Sequence, residues 1–226
     1  MKHNLQYKAK FIIPCFNEEE RIDIKAFNFS LTNNNAINIL FVNDGSTDNT
    51  LEMLEKLKNQ FPGQIEVLNL TANKGKAEAV RLGVQNVLKQ HSDIDYIGYF
   101  DADLATSLEE GVLLFDQLEQ NEQLKFAFGS RISKVGSTII RKNYRHLVGR
   151  FIATIISNIL KLRVYDTQCG AKVFTKKLAQ FVFVKPFISK WLFDVEIFTR
   201  ILCDTQRYSV KNMIEIPLKQ WIDQKG

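Results

Sequence analysis

The stretch Ile37-Asn38-Ile39-Leu40-Phe41-Val42-Asn43-Asp44-Gly45-Ser46-Thr47-Asp48 decides the fold. A short, almost continuously apolar run stops at Asn, Asp, Gly and Ser, which is how a strand buried on both faces ends in a turn. Ser46 or Thr47 then reads as the N-cap of a helix reaching about residue 59. The same unit recurs to either side. Upstream, residues 10–16 read as a strand and 18–31 as a helix, with Asn17 as its N-cap and acids in its first turn. Downstream, strands are expected over 64–70, 95–100 and 124–128, with helices over 74–90 and 107–121. Strands alternating with helices at this spacing predict an α/β fold, a mostly parallel sheet flanked by helices.

Composition agrees with one folded domain over residues 1–226. Hydrophobic residues make up 45% and charged residues 24%, while 11 Gly and 4 Pro are too few for a disordered or collagen-like chain. The best candidate for a membrane span, residues 151–160, carries Thr154, Ser157 and Asn158 between Arg150 and Lys161, so no spanning helix is expected. The opening MKHNLQYKAK has no apolar core, so no secretory signal and a cytoplasmic location are expected. Cys15, Cys169 and Cys203 form no CxxC pair and read as buried thiols in a reducing compartment, which argues against a zinc site.

The net charge of +5 hides a division. Residues 131–190 hold thirteen basic side chains against one acid, Asp166, a local excess of +12, and the remainder of the chain carries −7. A basic segment of this kind suits a phosphate-bearing partner, whether nucleotide, lipid headgroup or nucleic acid. From Arg141 an amphipathic helix is expected, with Leu147, Phe151, Ile155 and Ile159 on an apolar stripe opposite Arg150, Thr154 and Lys161. It reads first as a core-packing helix and second as an interfacial helix against a membrane surface.

The polar residues able to do chemistry follow the carboxyl ends of the strands, where open α/β sheets bind ligands. Asp101-Ala102-Asp103 places two carboxylates two residues apart, an arrangement that can hold a hard divalent cation which also takes diphosphate oxygens. Pro14-Cys15-Phe16-Asn17-Glu18-Glu19 closes the first strand, Asp44 the second, and Asn73-Lys74-Gly75-Lys76 opens the third helix. No GxGxxG is present, and Gly75-Lys76 lacks the rest of a P-loop, which argues against a dehydrogenase or an NTPase. A nucleic-acid binding module is disfavoured, because the basic segment lacks interleaved aromatics and such a module has no use for the ordered acids.

In this order the motifs resemble the family 2 glycosyltransferases, inverting nucleotide-sugar enzymes with the GT-A fold, over residues 10–202. Asp101 to Thr106, Gly129-Ser130-Arg131, the pair Arg141 and Arg145, Asp166-Thr167-Gln168-Cys169-Gly170 and Trp191-Leu192-Phe193-Asp194-Val195-Glu196 are similar to the dolichyl-phosphate glucosyltransferase branch. Mannosyl relatives carry Gln where this chain has Ala105, so the resemblance favours glucosyl transfer. It implies a nucleotide-sugar half over about 10–130 and an acceptor half over about 131–226. In the first, Pro14, Phe16, Glu18 and Ala102 would line the pocket. Asp44 would accept from the uracil imide, Lys76 would lie near base or diphosphate, Asp101 near ribose and metal, and Asp103 would bind Mg2+ or Mn2+. In the second, Arg131, Arg141 and Arg145 would hold an acceptor phosphate, with Gln168 at the sugar or acceptor.

The implied reaction is displacement of UDP from UDP-glucose by a polyprenyl or dolichyl phosphate, at the inner face of a membrane that the protein meets peripherally. A phosphate monoester is already anionic near neutral pH, so it needs no strong base. Two alternatives stay open: a sugar hydroxyl as acceptor, with Asp194 as general base, or mannosyl transfer from GDP-mannose.

Overall fold

Side chains alternating between two apolar faces build the central sheet of the computed structural model, which describes residues 7–140 and 162–222. In β1 (Ala9–Cys15), Phe11 and Ile13 pack on one face and Ile12 on the other, all fully buried. β2 (Ile39–Asn43), β3 (Ile65–Asn69) and β4 (Tyr96–Phe100) lie parallel to β1. The sheet then takes in β5 (Phe126–Ser130), β7 (Ala171–Thr175) and β8 (Met213–Pro217), while β6 (Thr138–Ile140) and β9 (Gln220–Ile222) pair separately. Its order is β3-β2-β1-β4-β7-β5-β8, with β7 antiparallel to both neighbours. The α/β class and the mostly parallel sheet are those expected from the alternation.

Apolar residues at helical spacing cover both faces. α1 (Ile24–Asn33), α2 (Thr50–Gln60) and α4 (Leu108–Gln120) pack on the Phe11 side. α3 (Lys76–Gln90), α5 (Lys176–Val182) and α6 (Phe193–Cys203) pack on the Ile12 side. The chain passes from β1 to β2 and β3 on one side, then crosses to β4 on the other. A crevice therefore opens beyond the carboxyl ends of β1 and β4, the usual ligand position of such sheets.

Three local expectations are corrected. Asn17 is no N-cap: it adopts the left-handed conformation at φ 52, and its Oδ1 accepts the Thr47 N–H at 2.9 Å. Residues 18–22 turn before α1 begins, and Asp23 caps that helix through the Ala26 N–H at 3.0 Å. Ser46 and Thr47 do not cap α2, whose N-cap is Asn49, because both contact Asn17 across the loops instead. Cys203 is exposed, at the solvent-facing end of α6, while Cys15 and Cys169 are buried as expected. The amphipathic helix expected from Arg141, with Arg145, lies outside the described residues. Among the described residues, no helix is long and apolar enough to cross a membrane.

α4 approaches the sheet at Gly111, where an added Cβ would lie 2.4 Å from the Phe11 ring and 2.8 Å from the Phe100 ring. Both rings are fully buried and cannot retreat. Gly111→Ala is expected to destabilise the fold by about 1–3 kcal/mol in urea unfolding, because overpacking outweighs the gain in helix propensity.

Candidate active site

Three loops at the carboxyl edge of the sheet are tied together by their acids. Asp44, 2% exposed, accepts the backbone N–H groups of Lys74 and Gly75 on its two carboxylate oxygens, each at 2.8 Å. The loop before α3 is thereby clamped to the end of β2. Gly45 permits the approach: its φ is +67, and a Cβ there would lie 2.6 Å from the backbone of Ala72 and Asn73. The β1 loop joins the same assembly. The Glu18 N–H donates to Thr50 Oγ1 at 2.8 Å, and the Glu19 carboxylate accepts both the backbone and side-chain N–H groups of Asn49.

A cleft of about 450 Å³ opens between these loops and the end of β4. Pro14, Phe16, Glu18, Asp44, Lys76, Asp101, Ala102 and Asp103 all line it, so folding brings every expected donor-side residue to one place. Asn73, quoted in the motif before the third helix but given no role, lines it as well, and so does Arg21, which was not singled out from the sequence. Arg21 belongs to no spaced motif; the turn over 18–22 carries it there, and the Asp44 clamp places Asn73.

The electrostatics of the cleft are unbalanced toward negative charge. Burial holds the Asp103 carboxyl above its ordinary value, and the Asp101 charge adds to this against the opposing Ala105 N–H. Burial also raises Glu18, with Asp103 and Asp101 adding to it and Arg21 opposing. Glu18 Oε2 is buried with no hydrogen-bond partner, 3.6 Å from Arg21 Nε. Lys76 Nζ donates to Asp101 Oδ1. Burial would lower the Lys76 ammonium, but the Asp101 and Asp194 carboxylates carry it above its ordinary value.

This donor set suits a hard cation. Among the described residues no group of three or more His, Cys, Asp or Glu is arranged to hold a metal. A cation held at Asp101 and Asp103 would therefore need further oxygen ligands from another molecule.

A second, drier cluster lies under the first. Lys172 in β7 is fully buried, and its Nζ donates to Asp194 Oδ1 and to the Cys169 carbonyl, each at 2.6 Å. Tyr99, opposite Lys172 in the β4–β7 register, donates its hydroxyl to the same Asp194 oxygen. Asp194 sits in the first turn of α6 but is not its cap, which is Leu192; it is the counter-charge of Lys172. The sequence signal for this cluster was a lone lysine inside the apolar run Ala171-Lys172-Val173-Phe174. Gly170 joins the two clusters, since a Cβ there would lie 1.9 Å from Asp101 Oδ2. Burial pushes the Cys169 thiol up to about 12, in keeping with a packing role.

Arg131 and Gln168 are not among the residues that line the cleft. Arg131 donates through Nε and Nη2 to the two Asp166 oxygens, at 2.6 and 2.8 Å, and its guanidinium lies 5.3 Å from the centre of the Trp221 ring. Burial works against this cation, but Asp166 holds it above its ordinary value. Gln168 is half-buried and gives its backbone N–H to Asp166 Oδ1. Arg141 and Arg145 lie outside the described residues.

Comparison with known proteins places the sequence in a family. The family model for glycosyl transferase family 2 matches residues 10–183. The chain is 32% identical over 213 residues to a dolichyl-phosphate beta-glucosyltransferase of Trichomonas vaginalis, covering 85% of this chain and 61% of that protein. It is 30% identical over 235 residues to the dolichyl-phosphate beta-glucosyltransferase of Saccharomyces cerevisiae, covering 95% and 67%. The chain thus spans less than two thirds of the first relative's length. Glucosyl-3-phosphoglycerate synthase from Mycobacterium tuberculosis, crystallised with Mn2+, UDP and glucosyl-3-phosphoglycerate, matches over 98% of this chain and 73% of its own. Its TM-score is 0.68 at 14% identity, a likeness of fold.

Two stability measurements test the site's charges. An aspartate raised in the folded state opposes folding when ionised, so Asp103→Asn is expected to raise Tm at neutral pH. The gain should disappear as pH falls through the raised value toward the ordinary 3.8, where both states bind the proton. Lys172→Met or Asp194→Leu alone strands a buried charge and should cost about 3–5 kcal/mol. The double variant should recover most of that loss in a urea double-mutant cycle.

Proposed function

The chain belongs to glycosyl transferase family 2, and from that premise we propose that it transfers glucose from UDP-glucose to a polyprenyl phosphate, with inversion at the anomeric carbon. The observation that carries this reading is the cleft itself. Asp101 and Asp103 stand at the end of β4, facing the clamped Asp44–Gly75 loops and Lys76, at the point where the strand order reverses.

In this reading Pro14, Phe16 and Ala102 supply an apolar wall for the nucleoside. The Asp44 oxygens, each holding one backbone N–H, keep lone pairs for the uracil imide. Asp101 and Asp103 would hold Mg2+ or Mn2+, which when bound acts as a Lewis acid for the charge gathering on the departing diphosphate. Lys76 sets a second positive charge beside Asp101. A guanidinium has five N–H donors, so Arg131 retains donors for an acceptor phosphate after binding Asp166. Arg141, Arg145 and Gln168 complete the acceptor side in this proposal.

The state of Asp194 favours a phosphate acceptor over a hydroxyl. A general base must be able to take up a proton, yet this carboxylate neutralises a fully buried ammonium and also accepts the Tyr99 hydroxyl. A phosphate nucleophile arrives already ionised and asks for no such base. Asp194 then acts by holding Lys172 and the end of α6 in place.

The test incubates the protein with Mn2+, radiolabelled UDP-glucose and a polyprenyl phosphate, and counts label extracted into organic solvent. Transfer is expected to require the metal and to fall by roughly a hundredfold or more in Asp103→Asn. UDP binding without transfer to the phosphate, together with Asp194-dependent transfer to a sugar hydroxyl, would overturn the acceptor assignment.

A further inference from the structure

The segment between α5 and α6 holds three large apolar side chains out in solvent: Val184, Ile188 and Trp191 are 60%, 95% and 69% exposed. Val184 and Ile188 line one apolar groove with Phe181 and Pro186, and apolar residues left uncovered together in this way mark an interaction surface. The segment is nonetheless firmly built. Arg200 of α6 donates to the carbonyl oxygens of Val182, Lys185 and Pro186 at 2.5–2.8 Å and pairs with Glu196. Glu196 Oε2 in turn accepts the N–H groups of Ile188 and Ser189 at 2.9 and 3.2 Å. Phe187 is folded inward, its ring 4.2 Å from the Arg200 guanidinium and packed on Phe183 and Phe193. One aromatic is thus turned in while its apolar neighbours are held out, so the entropy of ordering the loop is largely lost before a partner arrives.

Charge identifies the partner. Between Thr167 and Phe193 the chain has five lysines and no acid, and Lys185 and Lys190 flank the exposed side chains. The nearest acids, Asp194 and Glu196, are engaged with Lys172 and Arg200. Two copies meeting through this face would bring like charges together, whereas an anionic lipid surface offers both a hydrocarbon boundary and negative headgroups. We infer that this loop is a lipid-docking element: Val184, Ile188 and Trp191 enter the headgroup–acyl boundary, and Lys185 and Lys190 meet the lipid phosphates.

The inference deepens the lipid-acceptor reading and takes its purpose from it. Trp191 precedes Asp194 by three residues, so a bilayer held at this loop lies beside the end of α6 that closes the drier half of the site.

The experiment is co-sedimentation with phosphatidylcholine vesicles, with and without roughly 30% phosphatidylserine, at two salt concentrations. The protein is expected to bind the anionic vesicles in a salt-sensitive way. Val184→Ser/Ile188→Ser should weaken binding roughly tenfold or more while leaving UDP affinity unchanged. No binding of the unaltered protein, or equal binding by the variant, overturns the inference. Variant-sensitive self-association without vesicle binding also overturns it and assigns the face to a second copy. Transfer to a short, water-soluble polyprenyl phosphate separates the two readings. If it persists without vesicle binding, only docking falls, and if it is absent while binding holds, only the acceptor reading falls.

Discussion

The Asp44 carboxylate is the constraint on which the cleft depends. It is buried, and both of its oxygens are committed to the N–H groups of Lys74 and Gly75. Hydrogen bonds to a charged group contribute about 1.5–3 kcal/mol each, and an unpaired buried carboxylate costs more than either. The loop before α3 therefore has one place to go, and Gly45 leaves room for it. Lys76 follows directly at the start of α3, which sets its ammonium against Asp101.

A second constraint comes from β7. It enters the sheet antiparallel between β4 and β5 and brings Lys172 opposite Tyr99, in the dry interior. A buried ammonium needs a counter-charge, and Asp194 supplies it from α6. This ties the second half of the chain to the strand that leads into Asp101 and Asp103. Gly170 completes the junction, since only a residue without a Cβ lets Asp101 sit so close to the β7 backbone.

The two constraints divide the site electrostatically. On the donor side, Asp103 and Glu18 carboxyls are held above their ordinary values by burial and by their neighbours, an arrangement relieved by a cation. On the other side, Arg131 and Lys172 are each bound to a carboxylate, Asp166 and Asp194. In the proposed function a nucleotide diphosphate with a divalent cation would occupy the first, and an acceptor phosphate would approach Arg131 in the second.

The sequence by itself determined the α/β class, the near-complete set of cleft-lining motif residues and the segregation of charge. These depend on local periodicity and on residue types at strand ends, which are readable without knowing what packs against what. It misread the roles of Asn17, Ser46 and Thr47, because a side chain that could cap its own helix was claimed by a neighbouring loop. Only the tertiary structure decided that Asp44 clamps a loop, that Arg21 and Asn73 reach the cleft, and that Asp194 is partnered by Lys172 and Tyr99. The Asp44 clamp and the Asp194 cluster are pairings between residues far apart in the chain. Such pairings are selected by the need to satisfy buried charge and backbone polar groups once the sheet has closed, which no local pattern encodes.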